Sequence, residues 1–323
     1  MLDRYYILVR ENLPSCMEHR TACMGISMIM VLFYHLNTTF FYPGFLGVDI
    51  FLFLSAYGLS RSWERNSCFV FYKRRFKRLV PMYLLFGILQ NFIYIYFYHY
   101  QLSTWDLICN ITSLNYWKLG GLVFEWYLSI LILLYLLFPA ISVCVKRVGG
   151  GKFLAITLVF SLMLLTFGFD WNYDTAIGRL PIFVLGIVCY QQRVVLARMF
   201  ILGQMLFFLS LLCSIILYAG GALHFYVVIY MFSPAIILLV GWLINKVIVN
   251  FSRVYNAIFY IGRYTLEIYI ANVLICLYRR SPDSMFEGQN IVFGILLYIV
   301  MNIIISLVVI MVGKYFSKIA NTI

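Results

Sequence analysis

The sequence is poor in charge, since only 11% of its 323 residues are Asp, Glu, Lys or Arg. A soluble globular protein carries about 25%. Hydrophobic residues make up 64% of the chain, and the mean hydropathy is +0.93. Apolar runs near the length of a membrane span recur to the end and leave no stretch for a soluble domain. The sequence therefore predicts an all-α polytopic membrane protein that forms one domain over residues 1–323.

Three further features are missing. No signal peptide is predicted, because Asp3, Arg4 and Arg10 interrupt the first apolar run and no small-residue cleavage site follows. The eight cysteines show neither a CxxC motif nor paired spacing, so we expect no disulfide framework and no metal site. The net charge is +12, but the cations lie between apolar runs and not on a soluble face, so we expect no nucleic-acid partner.

The apolar runs predict ten membrane helices. They lie at about 21–40, 45–60, 79–98, 122–145, 153–168, 178–190, 199–219, 223–249, 263–278 and 291–313. Residues 1–20 then form a polar, basic segment, 61–78 a basic loop and 99–120 the longest polar connection. Pro81 is placed near the first turn of the third helix, where proline is tolerated.

The distribution of Lys and Arg predicts the orientation of these helices. With ten helices and an internal N-terminus, 20 of the 24 cations fall in inner segments. The outer segments hold Lys118, Arg179, Arg279 and Arg280. This asymmetry follows the positive-inside rule and predicts that both termini are cytoplasmic.

Two ionisable residues lie in the apolar stretch from Met24 to Leu59. His35 ends the first run and Asp49 opens the second, each about five residues from the turn, so both would lie on the order of 8 Å below it. Such residues are costly in a membrane and need a partner or a function. His35 is a candidate general base or part of a proton path, with Asp49 as its partner. Asp49 is also compatible with a helix N-terminus that favours negative charge.

Other charged positions allow two interpretations each. The cluster that includes Lys73, Arg74, Arg75 and Arg78 anchors the chain to anionic lipid or binds a phosphate-rich ligand, and charge alone favours the lipid. Glu125, beside Trp126, faces a substrate or lies in the interfacial aromatic belt. Glu267 is expected to pair locally with Arg263.

The motifs resemble those of a known family, acyltransferase family 3. They are Tyr34-His35, GFLGVDIF at 44–51, LSAYGL at 54–59, FYKRRFKRLVP at 71–81, EWYL at 125–128 with LFP at 137–139, RLPIFVLG at 179–186 and IGRYTLEIY at 261–269. This family comprises membrane O-acetyltransferases of bacterial surface polysaccharides. The resemblance spans nearly the whole chain and corresponds to the short form, without a fused extracytoplasmic domain.

The resemblance implies ten helices in the bacterial cytoplasmic membrane and transfer of acetyl from cytoplasmic acetyl-CoA, without a metal. His35 falls on the family's essential histidine, Asp49 on its glycine–x–aspartate acid, and Arg75 and Arg78 on its arginine–x–x–arginine motif. With Arg74 and Lys73, these arginines become a candidate CoA site.

Two positions depart from the family pattern. Met24 stands eleven residues before the histidine, where an arginine is usual, and the nearest arginine is Arg20. Asn272 replaces a histidine at the end of the 261–269 motif.

The function predicted from the sequence is O-acetyl transfer to a lipid-linked or cell-surface glycan. Tyr34, Trp126 and Glu125 are candidate substrate contacts, and Tyr34, Ser55 and Tyr57 are candidate oxyanion donors. One alternative is a transporter or flippase for a lipid-linked sugar, which would use the same His/Asp pair for protons. The other is an inactive relative, suggested by Met24. The sequence does not identify the acceptor.

Overall fold

The computed structural model describes residues 2–36, 41–112, 114–117, 126–167, 171–287 and 289–322, and every regular element in these ranges is helical. The α-helices are α1 (Leu2–Glu18), α2 (Arg20–Leu36), α3 (Gly47–Arg65), α4 (Cys68–Tyr96), α5 (Thr104–Ile111), α6 (Trp126–Val148), α7 (Gly150–Leu165), α8 (Trp171–Gln191), α9 (Leu196–Ala219), α10 (Phe225–Tyr230), α11 (Ser233–Lys246), α12 (Ser252–Arg263), α13 (Thr265–Arg279) and α14 (Ile291–Thr322).

Seven helical segments among the described residues are long and apolar enough to cross a membrane. They are Tyr42–Arg65, Cys68–Tyr96, Trp126–Val148, Tyr173–Gln191, Arg193–Ala219, Ser233–Asn250 and Ile291–Tyr315. The number becomes eight if α12 and α13, which meet at a 72° bend, form one span, while α2 and α7 are apolar but shorter. The all-α polytopic class is confirmed, and each of the ten predicted segments overlaps a described helix.

The chain divides into two compact units. Unit 1 comprises Met1–Tyr34, Thr39–Asn66 and Leu131–Arg263, and unit 2 comprises His35–Thr38, Ser67–Ile130 and Tyr264–Ile323. Unit 1 thus holds α1, α3, α7 to α12 and most of α2. Unit 2 holds α4, α5, α13 and α14.

Helix α3 forms the core of unit 1, and all of its residues from Gly47 to Ala56 are buried. Two glycines allow neighbouring helices to approach closely. A Cβ atom at Gly47 would lie 2.4 Å from the carbonyl oxygen of Ser27 in α2, and one at Gly186 of α8 would lie 2.4 Å from that of Phe53. This part of α3 is apolar on all of its faces and not along one stripe, which is the pattern expected of a helix that other helices surround.

Helix α1 occupies residues that the sequence analysis describes only as a polar, basic segment. Val9, Leu13 and Cys16 are fully buried in unit 1, where α1 packs on α11. The Asn245 side chain donates to Asn12 Oδ1 at 3.0 Å across this contact. The buried residues are spaced at i, i+4 and i+7, the pattern of an amphipathic helix, which was not predicted because the other face is polar.

The basic segment 61–78 is not a loop, in contrast to the prediction. Helix α3 continues to Arg65, and after Asn66 and Ser67 helix α4 runs from Cys68 through the five cations between Lys73 and Arg78 to Tyr96. The Ser67 side chain caps α4 by accepting a hydrogen bond from the backbone N–H of Val70. Pro81 therefore lies inside the helix and not in its first turn.

Unit 2 contains one more helix that was not predicted, α5, in the polar connection 99–120. Its start is marked by a capping box, in which the Asp106 N–H donates to Ser103 Oγ and the Ser103 N–H donates to Asp106 Oδ2, both at 3.2 Å. Gly87 lets α4 approach this helix, since a Cβ there would lie 2.4 Å from the Cα of Ile111.

Candidate functional site

Asp49 lies in the first turn of α3 and is fully buried. Its Oδ1 atom is 2.9 Å from Arg179 Nε, and its Oδ2 atom accepts a hydrogen bond from the Ser233 hydroxyl at 2.7 Å. The sequence suggested His35 as the partner of Asp49. The observed partners come from α8 and the start of α11, so one carboxylate oxygen faces a cation and the other accepts a hydrogen bond from a neutral hydroxyl.

Arg179 is buried to the same extent as Asp49, with 2% of its side chain exposed. Its guanidinium lies over the Tyr230 ring, 4.3 Å from the centroid, and Nη1 donates to the Thr175 carbonyl at 3.3 Å. The positive-inside pattern predicts Arg179 in an outer segment. It lies inside α8, which begins seven residues earlier than the predicted segment at 178.

An aromatic cluster surrounds this ion pair in unit 1. Tyr34, a predicted substrate contact, has its ring centroid 5.8 Å from that of Phe45 and 6.2 Å from that of Tyr42. Phe45 also packs edge-on against Tyr230 at 5.6 Å. Tyr34 therefore helps to enclose the Asp49–Arg179 pair, a role that the sequence did not indicate.

His35 belongs to unit 2, where it is half-buried near the end of α2. Arg279 Nη1 donates to the His35 carbonyl at 3.3 Å, which satisfies one of the backbone acceptors left open at a helix C-terminus. Arg280 follows Arg279 directly, so two consecutive cations close α13 at this contact. In the sequence these arginines indicate only the orientation of the helices.

The predicted CoA cations lie along the first turns of α4 in unit 2. Lys73, Arg74 and Arg78 are exposed, while Arg75 is half-buried with its guanidinium 5.4 Å from the Phe71 ring centroid. Closely spaced exposed cations can receive an anionic ligand, and arginine offers two parallel N–H donors to a phosphate.

Within unit 2, the charge of Arg78 acts on Glu267, and the expected pairing of Glu267 with Arg263 stays a prediction. Glu267 lies near the start of α13, where α4 and α14 converge on it. A Cβ atom at Gly313 of α14 would lie 3.2 Å from Met82 Sδ and 3.6 Å from Glu267 Oε1. This carboxylate therefore lies beside the cationic end of α4.

The predicted substrate contacts of helix 4 are only partly described. Glu125 lies outside the described residues. Trp126 opens α6 and is half-buried, and its ring centroid is 6.1 Å from that of Tyr127. Tyr127 packs edge-on against Tyr269 of α13 at 5.0 Å. These contacts fix the start of α6 within unit 2 and leave the role of Trp126 a prediction.

The two positions that depart from the family pattern have defined surroundings. Arg20, the arginine nearest to Met24, donates from Nε to the Leu54 carbonyl at 3.1 Å and so is held on α3. Met24 is half-buried one turn further along α2. In unit 2, Asn272 is fully buried and accepts a hydrogen bond from the Tyr298 hydroxyl.

Tyr98 joins the end of α4 to the end of α13. Its hydroxyl donates to the Leu277 carbonyl at 2.9 Å, two residues before Arg279. At about 1.5 Å per residue, the cations that end at Arg78 lie about 27 Å from the C-terminal end of α4. This length is close to the ~30 Å thickness of a hydrocarbon core. Within unit 2, the candidate phosphate-binding cations thus lie near the N-terminal end of α4. His35 lies near the C-terminal end of α4.

The chain is similar to one protein family and to several individual proteins. The sequence model of a family described as an acyltransferase domain matches residues 24–311. The peptidoglycan O-acetyltransferase OatA of Listeria monocytogenes is 31% identical over 168 residues, which cover 44% of this chain and 26% of that protein. A putative acetyltransferase, ORF330, of Acidianus two-tailed virus is 29% identical over 168 residues, covering 49% of this chain and 47% of the relative.

A further relative is the O-acetyltransferase OatA of Staphylococcus aureus, which is 28% identical over 139 residues and covers 36% of this chain and 23% of the relative. The chain therefore spans about a quarter to about a half of the length of these relatives. No solved structure matches the chain.

Proposed function

Because this chain belongs to acyltransferase family 3, we propose that it is a membrane-bound O-acetyltransferase that moves acetyl from cytoplasmic acetyl-CoA to a hydroxyl of a cell-surface or lipid-linked glycan. The acyltransferase class follows from the family. The names of two relatives include O-acetyltransferase, and one of these names peptidoglycan, which supports a glycan acceptor.

The length of α4 carries the proposal. An enzyme that takes a donor from the cytoplasm for an acceptor on the far side binds the donor's phosphates at the cytoplasmic end and the acceptor towards the other end. The exposed cations of α4 suit the phosphates of CoA at one end. His35 suits the acceptor hydroxyl near the other end, where neutral imidazole can act as a general base.

Asp49 stays in the proposed machinery as a positioning residue. Its observed partners are Arg179 and Ser233, so it fixes the start of α3 against α8 and α11. We assign the weaker substrate-binding roles to Tyr34, Trp126 and Glu125, as the motifs suggest.

The proposed orientation has ten spans and both termini in the cytoplasm of a bacterial host. Seven spans, the bent pair of α12 with α13, and the shorter apolar helices α2 and α7 together account for ten. In this orientation 20 of the 24 Lys and Arg residues are cytoplasmic, which includes the cations of α4.

The test is transfer from radiolabelled acetyl-CoA into the cell-surface glycan fraction of the native host. Membranes would carry the wild-type protein, His35→Ala, Arg253→Ala as an exposed control, or no copy of the protein. We expect equal label with wild type and Arg253→Ala, and background label with His35→Ala. Label that persists in His35→Ala contradicts the base assignment. An abundant wild-type protein that neither transfers acetyl nor binds CoA contradicts the proposal and favours a transporter.

A further inference from the structure

Two buried asparagines in unit 2 have no role in the function proposed so far. Asn272 lies in the middle of α13 and is fully buried, and Asn302 of α14 has only 7% of its surface exposed. The helices that carry them are apolar. A polar side chain inside a membrane helix is costly unless its donors and acceptors find partners. The hydrogen bonds of the two amides therefore have to be accounted for.

Tyr298 of α14 contacts both asparagines but satisfies only half of each amide. Its hydroxyl donates to Asn272 Oδ1, which also accepts from the Cys276 thiol at 3.9 Å. Asn302 lies one turn further along α14 and donates from Nδ2 to the Tyr298 carbonyl at 2.9 Å. Asn272 Nδ2 and Asn302 Oδ1 are buried and have no hydrogen-bond partner among the residues that the structure describes. One open donor and one open acceptor thus remain around Tyr298.

The chemistry of these two atoms indicates what they can bind. Buried polar atoms without a partner are few in native proteins, and each one requires an explanation such as a ligand or a bound water. A secondary amide fits both atoms, since its carbonyl accepts from Asn272 Nδ2 and its N–H donates to Asn302 Oδ1. The proposed acyl donor carries two secondary amides in the pantetheine arm that joins its phosphates to its thioester.

Two contacts show how α13 lies along α4 in unit 2. Near the start of α13, a Cβ atom at Gly313 of α14 would lie 3.2 Å from Met82 Sδ and 3.6 Å from Glu267 Oε1, so Met82 and Glu267 are at similar depth. Near the end of α13, the Tyr98 hydroxyl donates to the Leu277 carbonyl at 2.9 Å. Both helices therefore run in the same direction, away from the cationic end of α4.

This arrangement places Asn272 at a depth that the arm of the donor can reach. Asn272 follows Glu267 by five residues, and Met82 follows Arg78 by four. At about 1.5 Å per residue, Asn272 lies about 7.5 Å beyond Glu267 and about 14 Å beyond the Arg78 backbone. An extended amide chain spans about 3.5 Å for three chain atoms, so the two amides of the arm lie about 6 Å and about 11 Å from the phosphorus. A phosphate held between the levels of Arg78 and Glu267 brings one of these amides to Asn272.

We propose that Asn272 and Asn302 bind an amide of the pantetheine arm of the acyl donor, with Asn272 donating to its carbonyl and Asn302 accepting from its N–H. This inference rests on the proposed function, because it takes CoA as the donor. Tyr298 is the positioning residue, since it holds the oxygen of one asparagine and the nitrogen of the other. The two amides thus guide the arm from the phosphates into the apolar part of unit 2.

The experiment compares the binding of two probes to membranes with matched amounts of protein. Radiolabelled CoA carries the arm, and radiolabelled adenosine 3′,5′-bisphosphate resembles its nucleotide but has no arm. We expect Asn272→Leu and Asn302→Leu each to weaken CoA binding about 5- to 10-fold, because each removes one hydrogen bond to the amide. The Kd for the bisphosphate should stay within about twofold of wild type in both variants.

Three further variants separate ligand binding from a structural role. Ser161→Ala removes a buried hydroxyl of α7 that also has no partner in the described part of the chain, and it should leave CoA binding unchanged. Asn272→His restores the residue usual in the family and keeps an N–H donor, so it should bind CoA more tightly than Asn272→Leu. Tyr298→Phe frees Asn272 Oδ1 and should weaken CoA binding less than Asn272→Leu. If Asn272→Leu is absent from the membrane, Asn302→Leu carries the test with the same result expected.

The outcomes also separate this inference from the proposed function. If wild type binds CoA and both Leu variants bind it within about twofold as tightly, the inference alone is overturned and a buried water is the partner of these atoms. An equal loss for CoA and the bisphosphate also overturns it, because that result indicates a general structural change. A wild-type protein that binds no CoA overturns the proposed function, and the role of the two asparagines with it.

Discussion

The charge in the first turn of α3 and the cations near the start of α4 are arranged in opposite ways. Asp49 of α3 is fully buried and both of its oxygens have partners in Arg179 and Ser233. The cations of α4, by contrast, lie mostly exposed along its first turns. A buried charge has to be paired to be tolerated, whereas an exposed cation remains available to a ligand. The first group therefore holds unit 1 together, and the second is suited to binding.

The largest expected effect comes from breaking the buried pair. Arg179→Met leaves the Asp49 carboxylate without its cation, so we expect the free energy of unfolding to fall by about 3–5 kcal/mol. Adding Asp49→Leu should recover most of this loss, because removal of both charges is close to neutral. Unfolding in mixed micelles measures both variants. If the double variant is no more stable than Arg179→Met, the pair is not the source of the effect.

The exposed cations of α4 should show the reverse behaviour. Arg78→Ala should weaken CoA affinity about 10- to 100-fold, because one charge-assisted hydrogen bond contributes about 1.5–3 kcal/mol. The free energy of unfolding should change by less than about 1 kcal/mol. Equilibrium binding of CoA and of dephospho-CoA, with Arg253→Ala as the control, measures this effect. Equal CoA affinity in Arg78→Ala and Arg253→Ala would remove Arg78 from the donor site.

A smaller effect is expected from the close contact that places Asp49. Gly47→Ala puts a Cβ atom 2.4 Å from the Ser27 carbonyl oxygen, so we expect a loss of about 1–3 kcal/mol as α2 and α3 move apart. The matched control is Gly294→Ala in α14, where no atom lies within 4 Å. That change should be neutral or stabilise by up to about 1 kcal/mol. Similar unfolding curves for the two variants would contradict the close approach.

Long apolar runs in the sequence predicted helices correctly. Helical segments that are rich in polar or charged residues were not predicted. Each of the ten predicted segments overlaps a described helix, because a long apolar run favours a buried or lipid-facing helix. Helix α1 was missed because only one face of it is apolar. The cationic start of α4 was taken for a loop because charge density was read as a break, although no Gly or Pro lies between Cys68 and Val80.

The motifs identified the family and individual residues, but not the partners of those residues. Asp49 and Arg179 lie far apart in the chain, and only the packing of α3 on α8 brings them together. The same holds for His35 and Arg279, which meet through the backbone of one and the side chain of the other. Arg179 is the first residue of the RLPIFVLG motif. Its position two residues before Pro181 does not indicate that it is buried.

The most direct test of the account is the side from which the donor enters. Sealed inside-out and right-side-out membrane vesicles of the native host would each receive external radiolabelled acetyl-CoA, which does not cross the bilayer, with the Arg78→Ala protein as a reference. We predict that the glycan is labelled only in inside-out vesicles and that this label falls in Arg78→Ala. Equal label in right-side-out vesicles would contradict a cytoplasmic donor site on α4 and the separation of donor and acceptor along that helix.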